Sequence, residues 1–166
     1  MSIEQACDEV SLEWAEPFSG SPASASLLAV ARQADGTILI GIEMRLLPAA
    51  QMLTGNAALP CVPAWRLPTR PASAAQAREM LAKRLGLDDA ARLTGLGGAY
   101  FSSLGITTER VYPFITDARN LPRKIVEGLF FSRLSEVLAA AQQVADGHLL
   151  IAASRAGHLF AEPTPR

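Results

Sequence analysis

The sequence predicts an α+β fold. Three observations carry that prediction: a hairpin signal around Asp35-Gly36, a capped helix over residues 73–85, and a second helical repeat over 132–144 that follows a further strand at 110–116. Strands therefore precede and follow one helix, and helix closes the chain. That order differs from the strand-helix alternation of a doubly wound parallel sheet.

The elements follow in order. Residues 1–25 hold Pro17, Gly20 and Pro22 among serines and alanines and read as an arm leading into the fold. Residues 27–32 are apolar and suited to a strand, and T-I-L-I-G-I-E-M at 37–44 is rich in β-branched side chains. Two such runs around Asp-Gly make a β-hairpin. Between 46 and 70, Pro48, Gly55, Pro60, Pro63 and Pro68 exclude a helix and limit strands to short or edge pieces, with a brief one at 58–62. Ser73 is the N-cap expected for the first helix, and Gln76 three residues on suits a capping box. Ala77, Met80, Leu81, Arg84 and Leu85 fall on one side, and Gly86 takes the left-handed position after the last turn.

Gly95, Gly97 and Gly98 mark a turn-rich stretch. Pro113 places the 110–116 strand at an edge or a bulge. Residues 125–131 read as another strand. Leu134, Val137, Leu138 and Ala141 repeat at i, i+3, i+4 and i+7, which predicts the 132–144 helix. Asp146-Gly147 breaks it, 149–160 forms a short apolar helix, and 162–166 is a frayed tail. The domain division is an arm at 1–25, one domain at 26–161 and the tail.

The chain has 166 residues, is 49% hydrophobic and 19% charged, and carries a formal net charge of −1. This suits one domain with one sizeable core and gives no general attraction to nucleic acid or an acidic membrane. No apolar run approaches the roughly 20 residues that span a bilayer. Glu4, Asp8 and Glu9, without an early Lys or Arg, fit neither a secretory signal nor a transit peptide. The two cysteines, Cys7 and Cys61, make no disulfide framework or metal spacing, so a reduced cytoplasmic setting is the default.

Most site classes fail on spacing. His148 and His158 lie ten residues apart with no adjacent ligands and suit surface or helix-end roles. There is no phosphate-binding P-loop and no G-x-S-x-G elbow, and Gly95-Leu96-Gly97-Gly98 lacks the strand and helix of a dinucleotide fingerprint. A local basic bias remains: Arg66, Arg70, Arg78, Lys83 and Arg84 against Glu79. It suits a solvated helix face with a Glu79–Lys83 pair. The lesser reading is an anion site, since Arg84 shares a side with Ala77 and Met80.

Several strings, in order, resemble the Nudix hydrolase superfamily, especially its ADP-ribose pyrophosphatase-like branch. I-L-I-G-I-E-M-R at 38–45 is similar to the family's strand ending in arginine. V-P-A-W at 62–65 is similar to the L-P-A-G that opens the Nudix box. F-S-S-L-G-I-T-T-E-R-V-Y-P-F at 101–114 resembles the S-P-G loop, its following Glu and the next strand. G-L-F-F-S-R-L-S-E-V at 128–137 resembles the late strand and helix. The resemblance spans about 27–160 and implies an α/β/α sandwich with a mixed sheet, a loop-helix at 63–87 and a C-terminal helix. It also implies kinship with enzymes that are commonly dimers through their N-terminal strands, and with hydrolases of nucleoside diphosphate-linked substrates.

The box itself departs from the family pattern G-x5-E-x7-R-E-U-x-E-E-x-G-U. Laid without a gap, its opening Gly falls on Trp65 and its first Glu on Pro71. Its Arg-Glu pair falls on Glu79 and Met80, and its adjacent glutamates fall on Lys83 and Arg84. Leu81, Gly86 and Leu87 fit. Lys and Arg offer only donors and cannot ligate the divalent cation such enzymes use. The expectation is a degenerate box, no cofactor, no metal and no catalytic residue. The chain then serves as a module that binds a nucleotide-like small molecule or a protein partner. Arg45, Trp65, Lys83, Arg84 and Glu109 are the candidate ligand-binding residues. The competing expectation is a divergent hydrolase using the relocated acids Glu43, Glu79 and Glu109.

Overall fold

The run A-S-A-S-L-L-A-V-A-R forms the central strand β1 (Ala23–Arg32), and every residue from Ala23 to Val30 is buried. Burial on both faces requires partners along both edges and cover above and below. β7 (Arg110–Asp117) lies along one edge, parallel to β1 from Ala23↔Arg110 to Val30↔Asp117. Two antiparallel strands share the other edge. β4 (Ala64–Arg66) pairs with Ser24–Ser26, and β2 (Ile38–Leu46) pairs with Ala29–Arg32. Where β2 leaves β1 it continues against β3 (Ala58–Cys61), while its first half also pairs with β8 (Phe130–Arg133). β5 (Thr94–Gly95) and β6 (Tyr100–Phe101) pair with the far edge of β7. The computed structural model describes residues 23–46, 58–102, 109–143 and 146–160.

Alternation along β1 sorts the core into two. Ala23, Ala25, Leu27 and Ala29 face the same way as Tyr112 and Phe114, and α1 (Ala74–Leu85) covers them with Ala77, Leu81, Ala82 and Leu85. Leu28 and Val30 face the other way with Ile40 and Ile115. There α3 (Leu134–Gln143) contributes Val137, and α4 (Gly147–Phe160) contributes Leu149, Ala152, Ala153 and Ala156. The result is a mixed sheet between helical layers, the α+β class the element order predicts and the sandwich the resemblance implies.

The hairpin forms as expected. Gly36 takes φ 85°, and Asp35 Oδ1 accepts from the Thr37 N–H at 2.9 Å, which holds the Asp35 carboxyl below its usual range. The α1 caps form too. Ser73 Oγ accepts from the Gln76 N–H, while Gln76 Oε1 accepts from the N–H of Ala72, one residue before the cap. At the far end Gly86 (φ 71°) donates to Lys83 O and Leu87 donates to Ala82 O, a Schellman closure.

Four expectations need correction. Ala23–Ala25 belong to β1 and not to an arm, since small side chains alternate there as a buried strand requires. Residues 125–129 are not strand: α2 (Arg123–Val126) turns the chain after Pro122, and only Phe130 and Phe131 of the expected segment pair with β2. The later helix starts at Leu134, because Ser132 and Arg133 are still in β8. Finally, β7 is interior, not an edge. Pro113 O accepts from the Leu96 N–H at 2.8 Å, so the proline nitrogen faces that same side. β5 has already ended there and β6 has not begun, so no ladder bond is lost. β4 is an added strand of three residues between Pro63 and Pro68. The 1–22 part of the arm and the 162–166 tail lie outside the described residues.

Gly41 shows how closely β2 approaches the α1-side core: a Cβ there would lie 2.9 Å from Leu129 Cδ1 and 3.2 Å from Ala29 Cβ. At Gly98 a Cβ meets open space. Urea unfolding of Gly41→Val is expected to show a loss of about 1–3 kcal/mol. Gly98→Ala should stay within about 0.5 kcal/mol of the parent.

Candidate functional site

Three of the five candidate ligand-binding residues lie toward the N-terminal end of β1, with Trp65 on the α1 face beside Ala25 and Glu109 on the opposite face with Ser24. Where β2 peels away from β1, Arg45 forms an ion pair with Glu43 and donates to Ala64 O of β4 at 3.4 Å. Trp65 stands opposite Ala25 and packs, half-buried, against the core beneath α1. Glu109, just before β7, accepts from the hydroxyl of Ser24 on β1 and from Ser102 Oγ at 2.8 Å. Ser24 is 7% exposed, so its hydroxyl needs such a partner.

α1 carries the other two. Its buried side is Ala77, Leu81, Ala82 and Leu85, which leaves Lys83 and Arg84 exposed in the last turn. Cations at that end oppose the partial negative charge of the helix terminus. Two expectations are corrected here. Arg84 is not held against an apolar side, because it falls outside the buried stripe. The Glu79–Lys83 ion pair does not form among the described residues, and Glu79 is exposed.

No family model matches the chain, and no curated protein matches it. Solved structures do match. One is a Nudix hydrolase from M. smegmatis, with a TM-score of 0.50 and 18% identity, covering 86% of this chain and 88% of that one. Another is a mutT/nudix family protein from Listeria innocua, with a TM-score of 0.53 and 17% identity, covering 86% of this chain and 95% of that one. This is the Nudix fold.

Within the Nudix fold the donor set decides what the site can hold. Pro71, Met80, Lys83 and Arg84, which the box register aligns with the family's acidic positions, offer no side-chain carboxylate. Of the acids the competing reading relocates, Glu43 is paired with Arg45, Glu109 accepts from two serines, and Glu79 is exposed on α1. Among the described residues, no three or more His, Cys, Asp or Glu side chains group to hold a metal ion. These residues do not fit a divalent cation held as in the family.

A second polar group on the α4 side of the sheet was not legible in the sequence. Tyr100 and His148 are joined by a 2.8 Å hydrogen bond between the phenol oxygen and Nδ1. Burial pushes the Tyr100 hydroxyl up to about 12, against the opposing influence of Ser26. Arg155 lies 5.5 Å over the Tyr100 ring and donates to Leu96 O and Gly98 O, at 3.0 and 2.6 Å. The signal was the glycine run: carbonyls in a turn without ladder partners need donors from elsewhere. His148, the second residue of α4, thus ties the start of that helix to β6 through its ring.

Cys61 is a small buried hydrophobe, 3% exposed, with its thiol pushed up to about 11 by burial. Attack on a reagent requires the thiolate. In a Cys7→Ser background near pH 8, Cys61 should react with a disulfide reagent about 100-fold slower in the folded protein than in urea. The folded rate should keep rising with pH beyond the ordinary thiol value of 9.0.

Proposed function

We propose that this chain is a non-catalytic Nudix-fold module that binds a nucleotide-like anion without a metal. The observation that carries the reading is the exposed face of α1. Lys83 and Arg84 stand there in the last turn, in the box register's positions for adjacent glutamates. A guanidinium or ammonium meets phosphate oxygens directly and repels the cation that a carboxylate would attract. Arg45, Trp65 and Glu109, at the β1–β4 end of the sheet, complete the proposed ligand contacts. The two solved structures reported above are named as Nudix hydrolase or family proteins, and a divergent hydrolase of nucleoside diphosphate-linked substrates is the reading that competes.

One observation favours a second reading, an interaction module for a protein partner. Trp65 rests against the core beneath α1, where a glycine would leave space. A ring in that place fills a cleft, although its exposed part is also able to stack on a base.

Isothermal titration separates these readings. ADP-ribose should bind with the same affinity in chelator and in magnesium, with no turnover. Lys83→Glu combined with Arg84→Glu should abolish binding. Magnesium-dependent hydrolysis of ADP-ribose overturns the proposal. Unchanged affinity in the double variant leaves the interaction module.

A further inference from the structure

The opposite end of the β1–β7 pair carries a different opening. A cleft of about 410 Å³ lies where both strands finish, lined by Arg32 at the end of β1, by Thr116 and Asp117 at the end of β7, and by Arg92, Asn120 and Phe160. It is separated from the Ser24–Glu109 end by the length of β1, since Ser24 pairs with Val111 and Val30 pairs with Asp117.

The charges in this cleft do not cancel. Asp117 is bound on both oxygens by the Arg119 guanidinium, at 2.9 and 2.7 Å, and also accepts from the Arg119 N–H. That pairing holds the Asp117 carboxyl below its usual range. Arg32 and Arg92 make no ion pair among the described residues. Two guanidinium groups therefore line one opening with no carboxylate paired to them among the described residues.

Their placement is built into the fold. Thr116, 4% exposed, donates through Oγ1 to Arg92 O at 2.6 Å and so ties the turn carrying Arg92 to β7. Asn120 Nδ2 reaches the same hydroxyl at 3.5 Å and sits beside the opening as a further donor. Arg32 is fixed by the hairpin register, opposite Ile38. Phe160, half-buried at the end of α4, supplies an apolar wall. Guanidinium pairs with an amide donor match the geometry of phosphate oxygens, and the volume is that of a small-ligand site.

We infer that Arg32 and Arg92 form a second anion site, specific for the phosphate group of a small phosphorylated molecule, at the carboxyl ends of β1 and β7. The phosphate sits between the two guanidinium groups, and the organic remainder lies against Phe160. This site does not depend on the α1 face.

The test uses the full chain carrying Lys83→Glu and Arg84→Glu, which removes the α1 site from the measurement. Inorganic phosphate and AMP are titrated separately and followed by NMR shifts of the Arg side-chain and Asn120 amide signals. Binding of either probe is expected, and adding Arg32→Ala and Arg92→Ala should weaken it roughly tenfold or more. Tighter binding of AMP than of phosphate identifies an organic phosphate as the ligand, while equal affinity identifies the free anion. Arg32→Lys with Arg92→Lys, which keeps the charges but not the fork, should recover only part of the affinity. Failure of both probes to bind, or unchanged affinity in the alanine variant with an unaltered circular dichroism spectrum, overturns the inference.

Discussion

The parallel pairing of β1 with β7 is the constraint on which the rest of this molecule depends. Eight residue pairs in one register fix which side chains of both strands face α1 and which face α3 and α4. A slip by one residue would exchange the two cores, since the side-chain period of a strand is two. The same register decides what meets at each end. Ser24 comes to Glu109 at one end, and Arg32 comes to the turn after Asp117 at the other. Because β1 is buried on both faces, its free edge must be covered along its whole length. β2 and β4 divide that work, and the place where they part is where Arg45 reaches across to β4.

The chemistry of the α1 face follows from side-chain inventory more than from position. Helix and caps form as the sequence of α1 predicts. Carboxylates accept and bind cations, whereas lysine and arginine only donate. The exposed Lys83 and Arg84 at the end of α1 therefore offer donors and no acceptor. Of the three acids the competing reading would use, Glu43 is paired with Arg45, Glu109 accepts from two serines and Glu79 is exposed on α1.

Much of this was readable from local signals. Asp35-Gly36, Ser73, Gln76 and Gly86 each act through bonds to residues within a few positions, so their roles survive without tertiary knowledge. The errors share the opposite property. Pro113 looked like an edge residue because the gap that accommodates it lies on β5 and β6, about fifteen residues earlier in the chain. Residues 125–129 have a strand-like composition, yet Pro122 starts a turn of helix there and packing of Ile125, Val126 and Leu129 against the α1-side core supports it. Among the candidate residues, Arg45 and Glu109 were singled out through resemblance. Ser24, Ser102, Arg32 and Arg92 carry no motif, and only the strand register brings them to their places.

The Arg155 contacts also bear on how the molecule comes apart. One guanidinium of α4 holds two carbonyls of the glycine turn and lies over the ring that follows it, while His148, at the start of the same helix, holds that ring's hydroxyl. Fraying of the C-terminal helix would thus release the β5–β6 connection together with it. Amide exchange in these two distant stretches of chain should proceed as one cooperative opening, although no covalent neighbour relation links them.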